Sequence, residues 1–189
     1  MSAFDVIDEV RLSSNASDVT FSSIPATYRD LCIMASVRDT GNSSSLLHLF
    51  LKINNTGTGS YPHGFFKFDG GADGTGGPPY GNSDYAEIGV VASNGDTTGS
   101  FAATYLYIYD YTNTSSKKHW QSWSGHHKAV NSGTNEMTYM GWGQYGQTGA
   151  ASTIKLYSEI QYCSLFDKFS LHSSNTSYLY SGVGYLFLS

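Results

Sequence analysis

The sequence predicts an all-β protein, an antiparallel two-sheet β-sandwich of jelly-roll-like form. Three observations predict it. Apolar and polar residues alternate, as in Leu31, Ile33, Ala35 and Val37 against Asp30, Cys32, Met34, Ser36 and Arg38, the mark of a strand with one buried face. No stretch holds a helical period for three turns. Turn-forming clusters cut the chain into about ten to twelve short strands, the spacing of a sandwich or jelly roll.

In chain order, residues 4–12 alternate Phe4, Val6, Val10 and Leu12 with Asp5, Glu9 and Arg11. This reads as a first strand at a sheet edge, where charge discourages stray pairing. Val19 to Phe21 is a short strand, and Ile24-Pro25 then forces an extended corner, with Tyr28 as its expected plug. The strand to Arg38 follows. Leu46 to Asn54 is the most apolar strand and should be central, with Leu47, Leu49, Leu51 and Ile53 on one face. Residues 55–84 hold three of the chain's four prolines and many glycines. They read as a long loop in which only HGFFKF is a candidate strand, and long loops in domains are usually functional or mobile.

Tyr85 to Ala92 is a strand, SNGDTTG a turn, and Phe101 to Tyr111 a long strand. That strand puts Ala102, Thr104, Leu106 and Ile108 on one face and Phe101, Tyr105, Tyr107, Tyr109 and Tyr111 on the other. Two readings of the tyrosine stripe stay open. It is core with phenols at the rim, or it is a rigid aromatic face for a partner. KKHWQSWSG is a strand, HHKAVNSGTNE a loop, MTYMGWG a strand, QYGQTGAAS a loop, STIKLYSEI a strand, and residues 166–172 another. The apolar tail YLYSGVGYLFLS should end in a last strand or a subunit contact. The expectation is thus one sandwich domain over 1–189, with a C-terminal extension at 174–189.

Composition excludes several function classes. Charged residues are 13% of the chain, aromatics 15%, and Tyr alone occurs 15 times, so the surface is built from hydroxyls and amides. A net charge of −5 with 10 Lys and Arg does not suit a nucleic-acid binder, which needs a basic face, nor docking on an acidic membrane. No apolar run is long enough to span a bilayer as a helix. The N-terminal MSAFDVIDEVRL lacks the basic and apolar regions of a signal peptide. The expected location is a cytoplasm, or a larger particle in which the chain leaves the cell. Cys32 and Cys163 lack metal-ligand spacing; a single disulfide between them stays open, though an untargeted chain usually keeps its thiols reduced.

The chemistry-bearing residues form no catalytic constellation, and the sequence predicts no enzyme, no cofactor and no metal. His119, His126 and His127 read as solvated loop histidines rather than ligands. Asp69 and Asp73 in DGGADG echo a calcium loop but lack its distal Glu. There is no GxSxG elbow, and Glu87, Glu136 and Glu159 have no pattern that pairs them for glycoside cleavage. Asn15, Asn42, Asn54, Asn113 and Asn175 each begin an N-x-S/T sequon, as a chain rich in these residues would by composition alone. The residues expected to carry contacts are Tyr105, Tyr107, Tyr109, Tyr111, Trp120, Trp123, Tyr185 and Phe187.

Read together, VTFSSIPATYRDLCIMASVR, LKINNTGTGSYPH, YDYTNTSSKKHWQSWSG and ASTIKLYSEIQYCSLFDKFSLHS resemble, in order, a recurrent type of tailed-bacteriophage structural protein. The resemblance spans most of residues 6–173 and departs at SLHSSN, where that type closes with SLYGI. It implies a jelly-roll-like virion protein that cements or decorates the head, or sits on tail, baseplate or fibre. The implied partners are further copies of the chain, a trimer by analogy, and the major capsid protein or tail and fibre components. A second reading is a carbohydrate-binding adhesin for a host surface glycan, with Trp120, Trp123, Trp142 and the tyrosine stripe beside Asn and Gln.

Overall fold

Antiparallel pairing joins every neighbouring pair of the twelve strands in the computed structural model, which describes residues 5–14, 16–39, 47–57, 59–69, 75–81, 83–93, 96, 100–127, 136–158 and 169–174. The strands are β1 (Asp5–Val10), β2 (Asp18–Phe21), β3 (Asp30–Val37), β4 (Leu47–Ile53), β5 (His63–Asp69), β6 (Thr75–Tyr80), β7 (Ala86–Val91), β8 (Ala102–Ile108), β9 (Lys118–His127), β10 (Glu136–Tyr145), β11 (Ile154–Ser158) and β12 (Phe169–Ser174). They form a long sheet ordered β1-β12-β3-β8-β9-β10-β5-β6 and a short sheet ordered β2-β11-β4-β7.

The order has a simple origin. Strands β1-β12-β3-β8 and β2-β11-β4-β7 are the two four-stranded layers of a jelly roll, the chain passing between layers at nearly every step. Two hairpins are added to that frame. The β5-β6 hairpin interrupts the path from β4 to β7, and the β9-β10 hairpin interrupts the path from β8 to β11. Both continue the long sheet past β8. One sheet is therefore twice the width of the other, and its outer face is broad.

Alternation decides which side chains fill the space between the layers. Leu31, Ile33, Ala35 and Val37 of β3 meet Ala102, Leu106 and Ile108 of β8 in register, and all are buried. Leu47, Leu49, Leu51 and Ile53 of β4 face them from the short sheet and are also buried. As an interior strand, β4 has neighbours on both sides, in keeping with its apolar sequence. The edge strand β7 packs across β8, β9 and β10. Its free backbone groups are satisfied from the other layer: Val90 N donates to Ser124 Oγ at 3.1 Å, and Tyr139 Oη donates to the Glu87 carbonyl at 3.0 Å. Gly89 makes this approach possible, because a Cβ there would lie 2.6 Å from Ser124 Cβ.

Four expectations are corrected. The segment 55–84 holds a second strand besides the one expected at HGFFKF: TGGPPY forms β6. Proline lacks a backbone donor and so suits the outermost strand of a sheet, which is where β6 lies. His126 and His127 belong to β9 rather than to a loop. Gln144 and Tyr145 belong to β10. Tyr111 lies beyond β8, after a turn at Asp110 with φ of 47°. It is fully buried and donates its hydroxyl to the Pro25 carbonyl, so it secures the corner for which Tyr28 was expected; Tyr28 is only partly buried beside the core. Asn54, read as the end of the fourth strand, lies in the turn after β4, and Asn113 lies in the turn after β8. The tail at 175–189, the SNGD turn at Asn94 and Gly95, the calcium-like residues 70–74, Cys163, and the sequons at Asn15, Asn42 and Asn175 lie outside the described residues.

Candidate binding face

The outer face of the long sheet is a lattice of rows running across the strands. Because neighbouring strands pair residue to residue, outward positions line up. One row is Met34, Tyr105, Trp123, Met140 and Phe66, across β3, β8, β9, β10 and β5. The next is Cys32, Tyr107, Gln121, Trp142 and Gly64. On the far side of the first row lie Ser36, Ala103, Gly125, Thr138 and Phe68. Beyond the second lie Tyr109, His119 and Gln144, with Tyr109 N donating to the His119 carbonyl at 2.9 Å.

No Asp, Glu, Lys or Arg occupies any of these positions. Met34, Phe66, Phe68, Trp123, Met140 and Trp142 are between 37% and 50% exposed. Large apolar side chains left this open on four strands of one sheet are uncommon on a surface with no partner. The rings also touch one another: Tyr105 and Trp123 centroids are 6.0 Å apart, and Phe66 and Trp142 5.3 Å. Contacts of this kind hold the face in one shape before any partner arrives.

The face is not flat. Small residues at Ser36, Ala103, Gly125 and Thr138 leave an open hollow of about 750 Å³, walled by Met34, Tyr105 and Trp123. A second, narrower groove of about 470 Å³ lies at the opposite side of the face, around Tyr109, His119, Gln121, Trp142 and Gln144.

The tyrosines stay neutral. Burial, and then the charge of Asp30, push the Tyr107 and Tyr109 phenols above their ordinary range. Tyr107 Oη donates to Asp30 Oδ2 at 3.1 Å. Burial also pushes the Cys32 thiol up to about 12. These shifts keep the phenols and the Cys32 thiol uncharged across the physiological range, beside the buried carboxylate of Asp30.

The outer face of the short sheet differs. There His48 pairs with Glu87, Lys155 lies 2.8 Å from Asp18, and Phe50 is covered by Tyr85 and Tyr157. Its aromatics are capped by their own neighbours and its rim is charged.

Of the expected contact residues, the structure brings Tyr105, Tyr107, Tyr109 and Trp123 together on one face. Tyr107 is mostly covered, at 7% exposed. Two are corrected: Tyr111 and Trp120 are buried in the core, at 0% and 1% exposed, and offer no surface. Trp120 and Trp123 are three apart on one strand, and odd spacing places them on opposite faces. Tyr185 and Phe187 lie outside the described residues.

The histidines separate as well. His119 faces out beside Gln144, whereas His126 faces in, with Nε2 3.2 Å from Asp96 Oδ2 and both side chains sealed from solvent. His126 is thus a buried, paired residue, not a solvated one. Glu87 is tied to His48, and no group of three or more His, Cys, Asp or Glu converges among the described residues.

The sequence reading missed Met34, Phe66, Phe68 and Met140 as members of the face, and did not join Gln121, His119 and Gln144 to Trp142. Parity along each strand was visible in the sequence; the pairing that sets the strands side by side was not.

The fold and this face define a jelly-roll β-sandwich widened by two hairpins into an exposed aromatic and methionine-bearing surface. Comparison with family models, curated proteins and solved structures finds no match to the chain.

Proposed function

We propose that the chain is a non-catalytic structural protein of a virus particle, of the head cement or decoration type, which adheres through the outer face of its long sheet. The observation that carries the reading is the unbroken row Met34–Tyr105–Trp123–Met140–Phe66, without charge and with every member but the half-buried Tyr105 exposed. Aromatic residues and Met are enriched at protein interfaces, while charged residues are depleted there. Five strands and four rows cover about 650 Å² at ordinary sheet spacings, close to the ~800 Å² per partner of a stable interface. The ordered motifs that resemble phage virion proteins support the particle, and the face supports the means of attachment. Partners under this reading are further copies of the chain and the neighbouring coat or tail subunits.

Two measurements test it. The chain should be present in many copies per purified particle by quantitative gel or cryo-electron microscopy. Purified protein should self-associate at micromolar concentration by light scattering, and Trp123→Ser with Met140→Ser should return it to a monomer with an unchanged far-ultraviolet spectrum. A few copies per particle, together with a wild-type monomer, would overturn the reading.

A further inference from the structure

The groove at the end of the face differs in chemistry from the apolar row. Its floor and walls come from three strands and one loop. β9 supplies His119 and Gln121, β10 supplies Trp142 and Gln144, Gly64 is the second residue of β5, and Tyr109 follows β8. Trp142 is 43% exposed. Its indole lies across Gly64, where a Cβ would come within 2.9 Å of the ring. Glycine at that point lets the ring lie down over the neighbouring strand and leaves its outer side open.

The groups around it are two-sided. A carboxamide offers both a donor and an acceptor, and a phenol and an imidazole do the same. Tyr109 Oη donates to Gln121 Oε1 at 3.1 Å, a bond that uses the amide's acceptor and none of its donors. Gln144 Nε2 and His119 Nε2 are 3.4 Å apart, a long contact that a better partner would replace. No Asp, Glu, Lys or Arg lines the groove, so nothing in it selects an ion. An open aromatic ring ringed by mixed donors and acceptors fits a ligand with one apolar face and a rim of hydroxyls.

We infer that this groove binds a neutral saccharide, one pyranose face stacked on Trp142 and its hydroxyls held by Gln121, Gln144, His119 and Tyr109. A volume of about 470 Å³ falls in the range of small-ligand sites and admits one or two sugar rings. The inference goes beyond attachment to other subunits and does not rest on it: the groove belongs to one chain, and the Trp123 and Met140 positions that drive self-association in the proposal above are not part of it.

The test is a glycan array followed by calorimetric titration with the neutral oligosaccharides retained. It is run on wild-type protein and on the Trp123→Ser/Met140→Ser variant, so that a groove covered by self-association is distinguished from one that does not bind. Saturable binding is expected in at least one background, unchanged between about 50 and 500 mM salt because no ion pair contributes. Trp142→Ala should weaken it at least tenfold and Trp142→Phe less. Gln121→Ala with Gln144→Ala, both at the surface, gives the same reading should Trp142→Ala fail to fold. Absence of neutral-glycan binding in both backgrounds, binding only to anionic glycans that salt abolishes, or full affinity in the folded Trp142 and Gln variants would overturn it.

Discussion

Lys118 is the one lysine whose side chain is wholly buried among the described residues, and its replacement by Met gives a sharp test of the packing behind the face. Its Nζ donates to the carbonyls of Asn113, Ser116 (2.7 Å) and Thr148 (2.8 Å), and the residue is 0% exposed. One ammonium thus ties the turn before β9 to the loop after β10. Lys118→Met keeps the length of the stem and removes all three donors. Hydrogen bonds to a charged group are each worth about 1.5–3 kcal/mol, and a buried acceptor left alone costs about 1–3 kcal/mol. These contributions overlap, and the ammonium no longer has to be desolvated, so a net loss of about 3–5 kcal/mol is expected. For a chain of 189 residues that lowers Tm by about 10 °C. The exposed neighbour Lys117 is the control, and Lys117→Met should stay within about 0.5 kcal/mol. Urea unfolding followed by tryptophan fluorescence reads both. A Lys118→Met loss no larger than that of Lys117→Met would mean that Nζ reaches water and the three-carbonyl cage does not exist.

Other predictions follow from single contacts. Gly89→Ala drives a Cβ to 2.6 Å from Ser124 Cβ and 2.8 Å from its Oγ; the overpacking should cost about 1–3 kcal/mol by the same unfolding assay. Cys32 is buried, with its thiol held up at about 12, so with Cys163→Ser in the background it should resist a thiol reagent at pH 8 and react fully in denaturant. Burial lowers the pKa of His63 against smaller opposing effects of its contact with the Tyr61 carbonyl and of Glu87. The unfolded chain therefore takes up a proton there before the folded one does, and stability should fall as pH drops below about 6.5, the ordinary value for histidine. His63→Gln should flatten that part of the profile, measured by urea midpoints between pH 7.5 and 5.

The period-two pattern carried the fold a long way. β3, β4, β8 and β11 were legible because each has one buried face, and alternation records it directly. β6 was not legible, because Gly-Gly-Pro-Pro looks like loop when the position of the strand at the sheet edge is unknown. The buried end of β9 was hidden for a related reason: His126 reads as polar until Asp96 is brought beside it from thirty residues away. The tyrosine stripe was half legible. Parity grouped Tyr105, Tyr107 and Tyr109 correctly, but Tyr111 kept the same parity after the strand had ended. The groove needs outward positions on three strands and one loop to converge, and no local pattern encodes which strands are neighbours.

The same geometry limits how copies of the chain could meet. Open sheet edges are the usual route to uncontrolled association, and the long sheet blunts both of its own. β1 carries Asp5, Asp8 and Glu9, which resist a second acidic strand. At the other end β6 carries Pro78 and Pro79, which cannot complete a ladder. With the edges blocked, the exposed apolar area lies on the face. A face that meets its own copy does so about a twofold axis, whereas a threefold ring must join the face to a different surface. Small residues at Ser36, Ala103, Gly125 and Thr138 form a hollow, while Phe66 and Phe68 stand out on the same surface. Such a surface carries both halves of a self-complementary contact, which favours the twofold arrangement over the trimer expected by analogy. Light scattering gives the mass, and chemical cross-links give the geometry. A dimer linked face to face supports the argument, and a trimer, or cross-links joining β1 of one copy to β6 of the next, would refute it.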